Sequence, residues 1–219
     1  YYVAGWLGPI ALVAVGGVAY FLLSPGQFDP AMPTFVEATL QQLEASGQAA
    51  AMDETQIRML GYAQLALVFV APFLNCFTCF GEEWGWRGYL LPHMLEKRSA
   101  TFSVVAIGII WGLWHAPITA LGHNYGLNYP GWPVLGILAM CCLCVILSCL
   151  FSWLTLRAES CLPAVLAHGA VNSCVAAPTM FLVGAANPFV GPTATGIVGG
   201  IGFLVVAIAC FTSLRKRCV

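Results

Sequence analysis

Charge is what this sequence most lacks. Eight Lys or Arg and nine Asp or Glu leave only 8% of its 219 residues charged, against 60% hydrophobic. A soluble globular domain is about a quarter charged and about half apolar, so an ordinary soluble fold is excluded and a polytopic membrane protein is expected. The net charge of −1 excludes the broad basic surface that nucleic acid requires, so no nucleic-acid partner is expected. Cys76 and Cys79 have the spacing of a zinc or redox pair but lie inside an apolar run and read as packing thiols. Most of the 10 cysteines lie in apolar runs, where a thiol packs as a small hydrophobe. Cys218 stands one residue from the end, which does not fit a prenylation signal. The first apolar run lacks a preceding basic segment and a small-x-small cleavage site, so it reads as a span rather than a removable signal.

What the chain has is apolar length. A bilayer crossing takes roughly 20 apolar residues, and such runs occur at about 3–23, 61–80 continuing to 95, 101–121, 133–156, 161–183 and 195–214. The expectation is an all-α polytopic bundle of about six transmembrane helices, the second unusually long and containing Pro72. Residues 1–60 would form the first span plus a polar amphipathic segment, and residues 61–219 the core and a final span. In the polar segment, Thr34 and Glu37 have capping-box spacing, Val36, Leu40 and Leu43 repeat at helical intervals, Gly47 offers a stop and Asp53 caps a second helix. That segment reads as an amphipathic cover or as a solvated loop.

Basic residues set the orientation. Lys97 and Arg98, Arg157, and the run Arg215 to Arg217 follow alternate spans, whereas the opposite loops carry only Arg58. The positive-inside rule makes the Lys97, Arg157 and Arg215 ends cytoplasmic in a multi-pass integral membrane protein, in the plasma membrane if the source is prokaryotic.

Against this background the polar residues within the spans stand out: Glu82, Glu83 and Arg87, then His115, then His168 and Asn172. One charge near the centre of a span costs roughly 2.5–3.5 kcal/mol, and three unpaired would cost on the order of 8 kcal/mol. Glu83 and Arg87, one helical turn apart, can neutralise each other in part. Glu82 points about 100° away and needs another partner. At about 1.5 Å per residue, Glu82 lies roughly 22 Å from Lys97, His115 roughly 20 Å from Arg98, and His168 and Asn172 roughly 16 and 22 Å from Arg157. Three helices therefore bring polar groups to one depth. A turn separates Trp111 from His115, placing the indole to pack on the imidazole. A carboxylate with two imidazoles is the minimum set for activating water, directly or through zinc held by Glu82, His115 and His168. Asn172 with His168 is suited to stabilising an oxyanion. His93 and His123 fall outside this level and read as surface residues.

In order and spacing, "EEWGWR", "WGLWH" and "HGAVN" resemble the Glu-Glu-x-x-x-Arg, aromatic-x-x-x-His and His-x-x-x-Asn motifs of the CAAX prenyl protease and bacteriocin-processing family, also called Abi, of intramembrane endopeptidases. The resemblance covers roughly residues 62–183. Trp111 departs from the family's usual Phe but keeps an aromatic platform. The resemblance implies a helical bundle around a polar cavity open toward lipid or cytoplasm. It implies that Glu82 and His115 activate the hydrolytic water, that His168 and Asn172 stabilise the oxyanion, and that Glu83 and Arg87 orient the first motif. It further implies a lipid-embedded protease acting on a peptide or lipidated-protein substrate, with zinc left open. Two rivals stand beside this reading, the first within the same family. One is a non-catalytic scaffold or immunity protein that keeps the polar cluster for packing; the other is a proton relay, against which stand the single polar layer and the absence of inverted repeats.

Overall fold

A computed structural model describes residues 1–48 and 52–215. Lys216, Arg217 and Cys218, invoked above, lie outside the described residues. Among the described residues every regular element is helical, apart from one isolated antiparallel bridge, Phe28 with Leu182. Its helices are α1 (Tyr2–Leu23), α2 (Pro33–Ala45), α3 (Glu54–Leu67), α4 (Ala71–Glu83), α5 (Leu91–Leu95), α6 (Ala100–Trp114), α7 (Ala116–Ala120), α8 (Val134–Ala158), α9 (Leu162–Cys174) and α10 (Ile201–Arg215).

Three of the apolar regions, Tyr2–Leu23, Val134–Ala158 and Leu162–Phe181, are long enough to cross a membrane unaided. The expected second span is one bent unit: α3 meets the Ala71–Leu95 rod at 60°. Pro72 in the first turn of α4 has no N–H to continue the helix, and the Trp6 indole N–H donates to the freed carbonyl of Phe69 at 2.8 Å. Two shorter apolar helices, α6 and α10, complete the six regions. The third breaks at His115, because Pro117 returns no N–H to the preceding turn. The sixth starts at Ile201 rather than near 195, after a glycine-rich series of turns. The chain is an all-helical integral membrane protein.

Helices α8 and α9 form the centre. α6 and α10 pack on α8, while α4 and α1 pack on α9. α6 runs antiparallel to α8 at close approach: a Cβ on Gly112 would stand 2.4 Å from Cys141 Cα, and one on Gly108 would stand 2.5 Å from Val145 Cα. Two small residues four apart allow this backbone contact in a setting where lipid supplies no hydrophobic drive. The Ser148 hydroxyl adds a buried bond to the carbonyl of Val104 at 2.8 Å. Arg157 donates to Ser213 at 2.9 Å and the Tyr1 ring meets Trp153 edge-on. These contacts and the antiparallel α6–α8 pair gather the chain start, Lys97, Arg98, Arg157 and Arg215 at one end of the bundle.

The polar segment folds over the other end. Asp29 N–H donates to Phe181 O and Val183 N–H to Gln27 O, both at 2.9 Å. Asp53 and Gln56 form a reciprocal capping box on α3 at 2.8 and 2.9 Å, as the sequence led us to expect of Asp53. The Thr34–Glu37 box does not form. α2 starts two residues earlier, with Met32 rather than Thr34 at its N-cap, and the Thr34 hydroxyl instead accepts from Gly184 N–H at 2.9 Å. A tertiary partner has taken the oxygen that a local cap would have used. All nine cysteines among the described residues are free, in keeping with packing thiols.

Candidate active site

The first motif ends α4 and enters a π-helical turn, Trp84–Leu90, whose closing bond runs five residues back, from Leu91 N–H to Trp86 O. Such wide turns are frequent at functional sites. This one carries Arg87 beneath Glu83, both fully buried, with Arg87 donating from an η nitrogen to Glu83 Oε1 at 3.0 Å. The same oxygen takes the Nδ1–H of His168 from α9, also at 3.0 Å. The guanidinium lies 4.7 Å from the Trp111 ring centre and 5.3 Å from that of Phe151, so aromatic faces cover the cation where water is excluded.

Glu82 finds the partner that the sequence left unnamed. The Trp111 indole N–H donates to its Oε2 at 2.8 Å. Trp111 therefore does more than serve as the aromatic platform read from the sequence. Its ring stands edge-on to His115 at 5.6 Å and to His168 at 5.2 Å between centroids. Its backbone carbonyl accepts from His115 Nδ1 at 2.8 Å. A carbonyl can only accept, so the Nδ1 of His115 carries the proton and Nε2 is the lone-pair nitrogen of the neutral ring. His168 is tethered through Nδ1 in the same way, by Glu83. Both imidazoles are thus held at one nitrogen and keep Nε2 for chemistry, the arrangement that orients catalytic and ligating histidines.

Glu82, Trp111, His115, His168 and Asn172 line one cavity of about 380 Å³, shared with apolar residues of α8. At roughly 30 Å³ per liquid water this space holds on the order of ten waters. Glu83 and Arg87 do not line it; they form its floor. Asn172 sits at the cavity edge, with its amide 3.5 Å from Cys79 Sγ. No group of three or more His, Cys, Asp or Glu side chains among the described residues stands in an arrangement that would hold a metal ion. As placed, Glu82, His115 and His168 share the cavity without forming a zinc ligand set.

Three participants carried no sequence signal. Phe151 is an ordinary apolar residue in its run, and Trp114, which lines the cavity, is one aromatic among many in an apolar chain. His123, read as a surface residue, is exposed yet lines the cavity, its ring stacked parallel to that of His115 at 6.3 Å. His93 is exposed, and its Nδ1 faces Tyr89 O at 2.8 Å, outside the cavity.

Comparison with known proteins bears on this geometry. Residues 64–174 match the family described as type II CAAX prenyl endopeptidase Rce1-like. A stretch of 53 residues is 34% identical to CAAX prenyl protease 2 of Methanococcus maripaludis, covering 24% of this chain and 20% of that protein. No solved structure matches the chain.

Proposed function

The chain belongs to the type II CAAX prenyl endopeptidase Rce1-like family, and on that premise we propose that it is an intramembrane endopeptidase whose buried cavity hydrolyses a peptide bond with water activated by Glu82 and His115. One observation carries the reading: Glu82, His115, His168 and Asn172 come from three separate regions of an apolar bundle to line a single cavity of about 380 Å³.

Each group has a task that its tether fits. Trp111 holds one oxygen of Glu82, leaving Oε1 to take a proton from water as general base. His115, fixed through Nδ1, presents Nε2 as a second acceptor that orients the same water. The water oxygen attacks the scissile carbonyl, and the oxyanion that develops is met by the Asn172 amide N–H and by the His168 ring, which Glu83 orients through Nδ1. Glu82 then returns the proton to the leaving amine. Zinc on Glu82, His115 and His168 remains the other form of the proposal, but the side chains as placed do not form its ligand set and no step above requires it. The substrate is a peptide segment or a lipidated protein within reach of the membrane.

The test is mass spectrometry of new peptide termini in membranes carrying the wild type or Glu82→Gln at matched expression. Glu82→Gln preserves shape and removes the base, so we expect turnover to fall by at least about 100-fold while the protein inserts and folds normally. Chelator-treated wild type run alongside retains its cleavages if the water is activated without metal. Identical profiles for wild type and Glu82→Gln would instead favour a packing role for the cluster, as in a scaffold.

A further inference from the structure

Three of the four histidines are held at Nδ1 by the protein itself. His93 faces Tyr89 O, His115 donates to Trp111 O and His168 to Glu83 Oε1. His123 is the exception. Among the described residues its ring makes no hydrogen bond, although it lines the same cavity as Glu82 and His115. An imidazole brought to an apolar bundle without a partner forgoes bonds that only water or a ligand can return. The loop around it is fixed at several points. Gly122 and Asn124, on either side of it, both lie in the left-handed region, at φ +101° and +67°. Outside glycine such a conformation costs free energy and persists where the surroundings enforce it. His123 N–H donates to Ile118 O at 3.1 Å, and Gly126 N–H to Gly122 O at 2.9 Å. Asn124 Nδ2 reaches Met140 Sδ on α8 at 3.5 Å. Tyr125 is buried and stacks on Phe189 at 5.3 Å between centroids. These anchors hold the His123 ring nearly parallel to that of His115, with 12° between the planes and 6.3 Å between centroids.

We propose that His123 is a substrate-contact residue, which hydrogen-bonds the main chain of the bound peptide about two residues from the scissile bond and so sets the register of the substrate. The proposal rests on the protease reading above. A neutral imidazole offers one donor and one acceptor, the pair that a peptide group complements with its carbonyl and its N–H. The separation of 6.3 Å from His115, which orients the attacking water, is just short of the roughly 7 Å that two extended residues span. His123 has no part in the proton transfers, because Glu82, His115 and His168 are each tethered by other groups.

The experiment uses the full chain in detergent and a fluorescent peptide spanning a cleavage found by the mass spectrometry above. For His123→Ala we expect KM to rise about three- to tenfold, with kcat changed by less than about twofold. His123→Gln keeps one donor and one acceptor and should recover most of the KM. Binding of the same peptide to Glu82→Gln, read by fluorescence anisotropy, should weaken by the same factor when His123→Ala is added. That readout does not depend on turnover. Replacing the peptide bond two residues to either side of the scissile bond by an ester removes one N–H. On one side the ester should weaken binding to Glu82→Gln and leave the double variant unaffected. Should His123→Ala fail to fold, His123→Phe, which keeps a ring beside His115, takes its place. A fall in kcat at unchanged KM overturns the proposal and makes His123 a positioning residue for His115. Unchanged kcat and KM overturn it too, with the protease reading intact, and so do esters that weaken both proteins equally. A wild type that cleaves nothing overturns the protease reading and this assignment with it.

Discussion

Glu83 Oε1 accepts from Arg87 and from His168 at 3.0 Å each, so one buried oxygen joins the floor of the cavity to its α9 wall. Breaking a buried pair by removing one partner costs about 3–5 kcal/mol, because the remaining charge stays in low dielectric. Arg87→Met should therefore lower thermal stability in detergent sharply, and adding Glu83→Gln to it should recover part of the loss; unfolding curves of the three proteins check both. Trp111 offers a finer test. Trp111→Phe keeps the ring over His115 and His168 and removes the N–H that Glu82 accepts. A hydrogen bond to a charged group is worth about 1.5–3 kcal/mol, so kcat/KM should fall by roughly ten- to a hundredfold with the melting temperature little changed. Most of these partners were foreseeable as types. The charges of Glu82, Glu83 and Arg87 in an apolar run demanded compensation wherever they landed. That Trp111 answers Glu82, and that His168 rather than solvent answers Glu83, depends on which faces of α4, α6 and α9 meet.

At the scale of helices, the close contact of α6 with α8 positions the second motif. Trp111 and His115 ride on the helix whose Gly108 and Gly112 touch α8, so the register of that contact sets where both side chains point. Gly112→Leu should force the helices apart, at a cost of about 1–3 kcal/mol or more for overpacking, and reduce activity along with stability. Gly8→Ala, whose Cβ would meet nothing within 4 Å, should change neither. Paired thermal melts and peptidase assays distinguish the two. Pro72 and Pro117 lack a donor, but both runs were read as continuous, and only the helices themselves were legible from apolar length. The 60° bend was not, since a proline permits a bend without choosing its angle. The Thr34–Glu37 box misled because its spacing is local, whereas Gly184, which donates to Thr34, is 150 residues away.

Across the whole molecule, stability is graded from the centre outward. α9 is buried along almost its entire length, while α2 buries only Val36. Local opening is cheapest where apolar contacts are few. Hydrogen exchange should therefore proceed first in α2 and the start of α3 and last in α8 and α9, with the same order in Glu82→Gln; backbone exchange resolved by peptide mass spectrometry checks it. A protected α2 would mean that the cover is part of the cooperative core.

By itself the sequence determined the membrane class, the approximate spans, the charge asymmetry between the two ends and the identity of the polar groups too costly to bury without purpose. Those are properties of composition and spacing, which act through solvation and helix geometry before any tertiary contact exists. Only the tertiary structure decided that Trp111 holds Glu82, that Arg87 and Glu83 seal the cavity rather than line it, and that His123 faces His115. Each depends on residues far apart in the chain meeting at side-chain distance, and only the packing of α4, α6, α8 and α9 sets those distances.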